Sequence, residues 1–335
     1  MRMSVKQAQD SPAKIALYEQ FLHLKKTARA DISSVEQRPE LIPMSFAQQH
    51  LRYLEQVGGA GTVHNLSYEI RCDGALDLSA LSAVLDEIVY QQEVLRTHCP
   101  VVKGQEVQAI TPAETGKLDS RKVDKSDVGD ASARFSNQPF DIANDCLYRF
   151  ALVKIGNEAR VLGIVVRRIV FDRWSIGDLL RELVTLYDPR VLEGGMQLSP
   201  LSIQYAAYAI WQQKIIENNE LREKLTYWRD KLSGFSNRNP PTDYLRLPIH
   251  TSRGDQLGIH IPSAIIETLS DVARRARSTL NMVLLSAFQI VLWLGSDQDD
   301  FVMGTTFARR RYAKVKLLIS FLSIPLYFVL ICPQI

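Results

Sequence analysis

Residues 161–187 constrain the fold of this chain more than any other stretch, because three different patterns follow one another without a break. The run VLGIVV at 161–166 is apolar throughout and predicts a strand that is covered on both faces. The charged loop RRIVFDR follows at 167–173. From Ser175 an apolar stripe at helical spacing predicts an amphipathic helix, and Asp178 is placed to form a capping box with Ser175. The segment therefore predicts a covered strand, a charged loop and an amphipathic helix in direct succession.

Length and composition indicate a globular protein with two lobes. The chain has 335 residues, of which 46% are hydrophobic and 23% charged, and this composition excludes a disordered chain. A single core seldom grows beyond about 250–300 residues, so two lobes are expected. The net charge of +3 is too weakly basic to predict nucleic-acid binding, although a basic face would suit an acidic partner.

The cysteines and the two ends of the chain predict a cytoplasmic protein. Cys72, Cys99, Cys146 and Cys332 have a spacing that fits neither a zinc site nor a disulfide framework, so we predict packed, reduced thiols and no metal. The N-terminus lacks the apolar segment of a secretory signal. The uncharged run at 317–331 is shorter than the roughly 20 residues of a membrane span. It predicts one or two buried strands, and a tail anchor is the alternative.

Hydrophobic periodicity predicts further helices and strands. Asp77 is placed to cap a helix at 77–92. The helical pattern at 203–232 is long enough for one helix or a pair. The last helical segment is apolar nearly all round, so we expect it to be buried. Pro39, Pro43 and the sequence Asn239-Pro240-Pro241 mark linkers. The helical patterns cover residues 12–30, 77–92, 203–232, 263–277 and 279–294, and the strand patterns cover 147–154, 256–262 and 300–305.

Five stretches, in the same order along the chain, resemble the motifs of nonribosomal peptide synthetase condensation domains. One match would be weak, but five in order over residues 45–306 make a specific resemblance. The loop RRIVFDR stands where the family has HHxxxDG. After Arg309 the match fades, and the later family segments are absent. The five stretches are SFAQQHLRYL at 45–54, QQEVLRTHC at 91–99, RRIVFDR at 167–173, YAAYAIW at 205–211 and the run from Thr279 to Thr306.

The resemblance implies a two-lobed α/β fold of the chloramphenicol-acetyltransferase type, with the second lobe incomplete. We predict an N-terminal amphipathic helix and linker at 1–40, a first lobe at 41–190, and a partial second lobe with an apolar tail at 191–335. The resemblance also implies that carrier proteins are the partners and that no cofactor is bound by the chain itself. Each carrier brings an aminoacyl or peptidyl thioester on a phosphopantetheine arm, and the family reaction joins two such units through an amide bond.

The same resemblance assigns roles to the residues of the motif loop. Arg168 stands where the family has its catalytic histidine, and Arg167 stands at the first histidine position. Asp172 is the motif aspartate, whose implied role is structural, in an ion pair with Arg96 of the LRT sequence. Arg173 replaces the motif glycine, and a glycine at such a place suggests a tight backbone.

A guanidinium at position 168 changes the chemistry that the loop can perform. A neutral imidazole accepts a proton near pH 7, whereas a guanidinium has five donors and no acceptor. General acid–base help is worth roughly 10²–10⁴-fold in rate, so we expect catalysis to be impaired. None of the six histidines lies near this loop in the sequence; we single out His98, in the second motif stretch, and its ordinary interpretation is a partly buried, hydrogen-bonded side chain. The surplus arginines indicate either an anion pocket, for example for the phosphopantetheine phosphate, or drift at an abandoned site, and the sequence favours drift.

Three functions stay open at this point. The first is a degenerate condensation domain without amide-forming activity, as a remnant or from a misread frame. The second is a non-catalytic module that recruits carrier proteins or a tailoring enzyme such as an oxygenase, since altered motifs are typical of such modules. The third is an active acyltransferase with unusual chemistry at Arg168.

Overall fold

The computed structural model describes two compact units. The predicted helix at 12–30 and the linker Asn239-Pro240-Pro241 lie outside the described residues. The described residues are 32, 38–58, 61–124, 126–155, 159–187, 198, 200–216, 220–233, 242, 244, 257–295, 300–308, 310 and 312–331.

No local sequence pattern marks the boundaries between the two units. The first unit holds the described residues up to Ile216 together with a separate piece, 310–322. The second unit holds the described residues of 220–308 together with 323–331. The predicted boundary at residue 190 therefore lies inside the first unit.

A four-stranded sheet forms the centre of the first unit. Its order is β2 (Asn65–Cys72), β8 (Ala159–Arg167), β7 (Tyr148–Ile155) and β6 (Leu118–Val123). The β7–β6 pair is parallel and the other two pairs are antiparallel. The predicted covered strand is β8, and its side chains on both faces of the sheet are excluded from solvent. This prediction is confirmed, because the apolar run supplies the buried residues Leu162, Ile164, Val165 and Val166.

Two amphipathic helices, α2 (Leu78–Gln91) and α4 (Ser175–Tyr187), pack against each other and share one core with the sheet. The predicted N-cap of α2 is confirmed, because Asp77 accepts the backbone N–H groups of Ser79 and Ala80. A cap of this kind stabilises a helix by about 1 kcal/mol. A further helix, α3 (Val128–Ser136), contacts β2 and β8.

The first motif stretch forms helix α1 (Phe46–Gly58). Ser45 and Gln48 form a capping box, in which the Ser45 hydroxyl accepts the Gln48 amide and Gln48 Oε1 accepts the Ser45 amide. The Ser45 hydroxyl also lies 2.7 Å from the hydroxyl of Tyr205, on helix α5 (Tyr205–Ile216). The capping box therefore fixes α1 against a second motif stretch.

A small sheet completes the first unit. Its long strand is β5 (Gln105–Ile110), which pairs antiparallel with three two-residue strands. These partners are β1 (Ile42–Pro43), β3 (Thr97–His98) and β4 (Val101–Val102).

The second unit contains helices and one hairpin-like pair of strands. The predicted pair of helices within 203–232 is confirmed as α5 and α6 (Glu220–Leu232), and α5 belongs to the first unit. The other predicted helices are confirmed as α7 (Ser263–Arg275) and α8 (Leu280–Gly295). The predicted strand at 256–262 is wrong, since the described residues 257–262 form no strand.

Helix α8 is not buried as its composition predicts. None of its described side chains is buried, and Phe288, Val291 and Leu294 are more than half exposed. Its principal neighbour among the described elements is α7. One helix can cover only one side of another, so the remaining apolar sides of α8 face outward within this unit.

Residues 310–322 link the two strands of the second unit but pack in the first. Strand β9 (Asp300–Ala308) pairs antiparallel with β10 (Ser323–Ile331), with Ala308 opposite Ser323. Between them, Val315, Leu318, Ile319, Phe321 and Leu322 are buried in the core of the first unit. We call residues 310–322 the crossover loop. The strand interpretation of the run at 317–331 is thus confirmed for 323–331, whereas 317–322 is loop.

No single helix among the described residues is long and apolar enough to cross a membrane. Helices α7 and α8 have the length and composition of a membrane span only when they are taken together. The two helices are bent by 104° at the break between them.

Candidate functional site

The loop RRIVFDR lies at the end of β8, where hydrogen bonds from neighbouring elements fix its backbone. The amide of Arg168 donates to the carbonyl of His64 at 2.9 Å. The side chain of Gln48, on α1, donates from Nε2 to the carbonyl of Ile169 at 3.2 Å. The first and third motif stretches of the sequence therefore meet at one place in the first unit.

Arg167 occupies the first motif position as part of a buried ion pair. Its side chain is 1% exposed and that of Glu55, on α1, is 3% exposed, with 2.5 Å between Nη2 and Oε1. The other terminal nitrogen, Nη1, donates to the carbonyl of Gly61 at 2.7 Å and to Oδ1 of Asn65 at 3.0 Å. A buried charge persists only with a partner charge and hydrogen bonds of this kind. Arg167 is therefore a structural residue of the core.

Arg168 occupies the second motif position, and no hydrogen bond or ion pair engages its guanidinium within the described ranges. The side chain is half-buried. Its Cζ lies 5.7 Å from the centroid of the Phe321 ring, on the crossover loop, which is a cation–π distance. The positive charge of Arg168 thus faces an aromatic ring rather than a carboxylate.

Asp172 holds the start of α4 and the crossover loop together. Its Oδ1 accepts the amides of Trp174 at 3.1 Å and Ser175 at 2.9 Å, which are free donors at a helix N-terminus. Its Oδ2 accepts the amide of Leu322 at 3.3 Å. Arg310 pairs with Oδ1 at 3.2 Å, and both side chains of this ion pair are at most 5% exposed. These contacts agree with the structural role expected of Asp172, which stays a prediction.

The predicted ion pair between Asp172 and Arg96 is wrong. Arg96 donates from Nη1 to the carbonyl of Thr111 at 2.6 Å, and its Nη2 lies 3.9 Å from Glu93. Arg310, 138 residues beyond Asp172, provides the cation instead. The physical reason is that the crossover loop returns to the first unit and places Arg310, instead of Arg96, beside Asp172.

The predicted capping box between Ser175 and Asp178 does not form, because both side chains join the cluster around Arg310. The Ser175 hydroxyl donates to Oδ1 of Asp172 at 2.8 Å. Asp178 lies 2.6 Å from Arg181 and 3.6 Å from Arg310. The first turn of α4 is therefore part of a buried polar cluster rather than a self-contained cap.

Arg173 is exposed and does not strain the loop. Among the described residues other than glycine, only Lys103 and Arg277 have a positive φ, so the backbone at position 173 suits any residue. Burial raises the pKa of the nearby Tyr68 hydroxyl, and the positive charge of Arg173 opposes that shift. The loss of the family glycine at this position thus has no visible cost in backbone conformation.

His64 lies beside the motif loop although no motif contains it. Burial lowers the pKa of its imidazole, the charge of Glu55 raises it, and the charges of Arg167 and Arg168 lower it. The ring is therefore neutral near pH 7. His98, which the sequence singled out, lies in β3, and its ring makes no hydrogen bond in the described part of the chain.

Glu182, on α4, is a buried carboxyl group that connects to the crossover loop through Gln92. Gln92 donates from Nε2 to Oε1 of Glu182 at 2.9 Å, and its Oε1 accepts the amide of Ile319 at 3.2 Å. Burial raises the pKa of Glu182 to about 7, the Gln92 hydrogen bond opposes this, and the charge of Asp178 adds to it. Sequence reasoning missed Glu182 because its helical position did not distinguish it from solvent-facing charges.

The arrangement offers many donors and few proton acceptors. The cations Arg167 and Arg310 are paired with buried carboxylates, and Arg168 presents donors alone. No group of three or more His, Cys, Asp or Glu side chains within the described ranges is placed to hold a metal ion. The geometry thus suits the binding of an acceptor group better than the removal of a proton.

The condensation-domain family model matches residues 39–321, which include every element of this site. The chain belongs to the condensation-domain family. It is 34% identical over 293 residues to a linear gramicidin synthase of Brevibacillus parabrevis, across 85% of this chain and 6% of that protein. This condensation-domain chain therefore spans a small part of the synthetases that it matches, and the nonribosomal peptide synthetase context indicated by the motifs is confirmed.

Two solved structures share the condensation-domain fold of this chain. The complex of the X-domain and OxyB from teicoplanin biosynthesis matches with a TM-score of 0.81 and 25% identity, covering 91% of this chain and 68% of that chain. The condensation domain of the monacolin K polyketide synthase MokA matches with a TM-score of 0.73 and 18% identity, covering 89% and 69%. The α/β fold of the chloramphenicol-acetyltransferase type, expected from the motifs, is confirmed.

Proposed function

We propose that this condensation-domain protein binds a carrier-borne acyl ligand without joining it to an amine. The ligand would arrive on the phosphopantetheine arm of a carrier protein, as the motifs imply, and the chain would need no cofactor of its own. The observation that carries the proposal is Arg168, which stands at the catalytic histidine position with a half-buried guanidinium and no carboxylate paired with it in the described ranges.

The chemistry of that position would account for the proposed loss of transfer. Attack by an acceptor amine needs a group that accepts or orients the amine proton, and a guanidinium has no acceptor and keeps its own proton. Its charge would also repel an acceptor that is still an ammonium ion. His64 is a neutral ring near the loop, but its carbonyl, not its imidazole, is the group that contacts Arg168.

The fate of Arg167 supports the same proposal. If arginine had replaced the first histidine without a compensating acid, the buried guanidinium would have no partner. Such an unpaired charge would lower the free energy of unfolding by about 3–5 kcal/mol. Instead Glu55 neutralises Arg167 through Nη2, and Asn65 and the Gly61 carbonyl accept hydrogen bonds from Nη1. The motif loop is thus a well-packed structure, which fits a retained binding role better than drift at an abandoned site.

A reconstituted transfer assay tests the proposal. Purified protein is mixed with holo carrier proteins that bear donor and acceptor aminoacyl thioesters, and dipeptidyl thioester is measured by mass spectrometry. We expect product equal to a no-protein control, because the missing proton acceptor alone is worth roughly 10²–10⁴-fold in rate.

The positive control for this assay is a condensation domain with both motif histidines and the same carriers. Product above the no-protein level from the wild-type chain, abolished by Arg168→Ala, would contradict the proposal and establish an acyltransferase that uses the guanidinium.

A second candidate function is recruitment of a tailoring enzyme. The observation that favours it is the match to a solved complex of an X-domain with OxyB, at 25% identity and a TM-score of 0.81. That complex supports a partner-binding role for a chain of this fold.

A binding experiment checks the recruitment function. The immobilised protein is exposed to purified holo carrier proteins and to oxygenases encoded in the same gene cluster, and binding is followed by biolayer interferometry. We expect saturable, micromolar binding of at least one of them, which is the range of transient assemblies. If neither class binds above an immobilised, unrelated protein of similar size and charge, recruitment is excluded.

A further inference from the structure

Arg168 is the half-buried cation of the motif loop, and no carboxylate in the described part of the first unit pairs with it. Arg167 and Arg310 each face a carboxylate that is almost fully buried. Arg168 is half-buried, so water screens it less than it screens a surface arginine. A guanidinium in such a place is favoured when an anion lies against it, because charge-assisted hydrogen bonds are the strong ones.

The neighbouring carboxylates are already committed to other partners. Glu55 is held by Arg167, at 2.5 Å. Asp172 accepts the two amides at the start of α4, the Leu322 amide and Arg310. Neither carboxylate forms an ion pair with Arg168, so an anion for Arg168 must come from outside the described part of the chain.

The surroundings of Arg168 leave its donors available. The guanidinium lies over the face of the Phe321 ring, with Cζ 5.7 Å from the ring centroid, and this contact occupies none of its N–H donors. His64 contributes no positive charge near pH 7, because burial and the two arginines lower the pKa of its imidazole. Phe321 itself is held in place, since its carbonyl accepts the Tyr205 hydroxyl at 2.7 Å.

We propose that Arg168, backed by Phe321, forms an oxyanion-binding site that takes a carboxylate or phosphate group through the fork of the guanidinium. The inference deepens the proposed function, since it names what the altered motif position binds in place of an amine. Carboxylate and phosphate share the paired oxygen geometry that arginine recognises, and lysine matches this geometry less well.

Isothermal titration calorimetry with three small probes tests the site on the full chain, without any carrier protein. The probes are phosphopantetheine, succinyl-pantetheine and uncharged pantetheine. We expect one of the two anionic probes to bind about tenfold or more tightly than pantetheine, as one charge-assisted contact is worth roughly 1.5–3 kcal/mol. The tighter of the two identifies whether the anion is the phosphate of the arm or a carboxylate of its cargo.

Two arginine variants make the test specific to the site. Arg168→Gln should remove the anion preference, and Arg168→Lys should retain a part of it. The matched control is Arg173→Gln, which removes the same charge from an exposed position of the same loop and should change the affinity less than about twofold. Urea unfolding of each variant verifies that the fold is intact.

Three results would overturn the inference: equal affinities for all three probes, an equal effect of Arg168→Gln and Arg173→Gln, or an anion preference that survives Arg168→Gln. These results would leave the proposed loss of amide formation untouched, since no transfer takes place in the titration. Product in the transfer assay would instead overturn the proposed function and leave the titration result standing.

Discussion

Replacement of Arg310 by Met is expected to lower the free energy of unfolding of the first unit by about 3–5 kcal/mol. Arg310 is the cation that faces both Asp172, at 3.2 Å, and Asp178, at 3.6 Å, and all three side chains are at most 5% exposed. Its Nη1 also donates to the carbonyl of Leu318 at 2.6 Å. Methionine fills most of the volume but removes the buried cation that Asp172 and Asp178 share. Urea unfolding, followed by amide exchange in β8, measures the loss.

Three further variants make the Arg310 prediction specific. Arg71→Met is the matched control, because Arg71 pairs with Asp73 on an exposed surface and its loss should cost less than about 0.5 kcal/mol. Arg310→Lys keeps the charge and should cost less than Arg310→Met. Asp172→Asn in the Arg310→Met background should recover part of the loss, because it removes a buried negative charge that no longer faces Arg310. A loss for Arg310→Met no larger than for Arg71→Met would contradict the ion-pair role.

Replacement of Glu182 by Gln is expected to stabilise the protein at pH 8 and not at pH 4. Burial raises the pKa of Glu182 from 4.5 to about 7 in the folded protein, with the Asp178 charge adding to the effect. Glutamine has nearly the same shape and can still accept the hydrogen bond from Gln92 through its oxygen. It removes only the buried negative charge that glutamate carries above pH 7.

The sign of the pH dependence follows from the direction of this shift. Between pH 4.5 and about 7 the folded protein keeps the Glu182 proton and the unfolded chain loses it. The contribution of Glu182 to stability is therefore complete below pH 4.5 and is lost as the pH rises through about 7. At about 1.4 kcal/mol per pKa unit, the whole effect is on the order of 3 kcal/mol.

Urea unfolding at pH 4, 6 and 8 checks this prediction by the difference between wild type and variant at each pH. His64 and other groups titrate in both proteins, so the difference isolates Glu182. Glu69→Gln is the control, because Glu69 is an exposed glutamate of the same unit that accepts a hydrogen bond from Ser132. A stability difference that does not change with pH for Glu182→Gln would rule out the raised pKa.

The local elements of this protein were predictable because their patterns are local. The apolar run at 161–166 became the central strand β8, and Asp77 capped the helix that it precedes. The charged loop between β8 and α4 was correctly placed, since both flanking elements bury apolar faces in the same core. The motif matches then led to the family and the fold.

The partners of the charged residues were not predictable in the same way. Arg96 and Asp172 were expected to pair, but Arg96 bonds to a carbonyl close in sequence, and Asp172 receives Arg310 from the crossover loop. Arg167 pairs with Glu55 on α1, a partner that no sequence pattern indicates. Such pairs join residues more than a hundred positions apart, and no periodicity encodes them.

By itself the sequence determined the succession of β8, the motif loop and α4. It also determined the family and the presence of guanidinium groups where the family has imidazoles. These features depend on side-chain type and local spacing, which a linear chain carries in full. Only the tertiary structure decided which arginine is neutralised and which is not. That outcome depends on where the chain returns to its own core, because a buried charge is stable only beside the partner that folding brings to it.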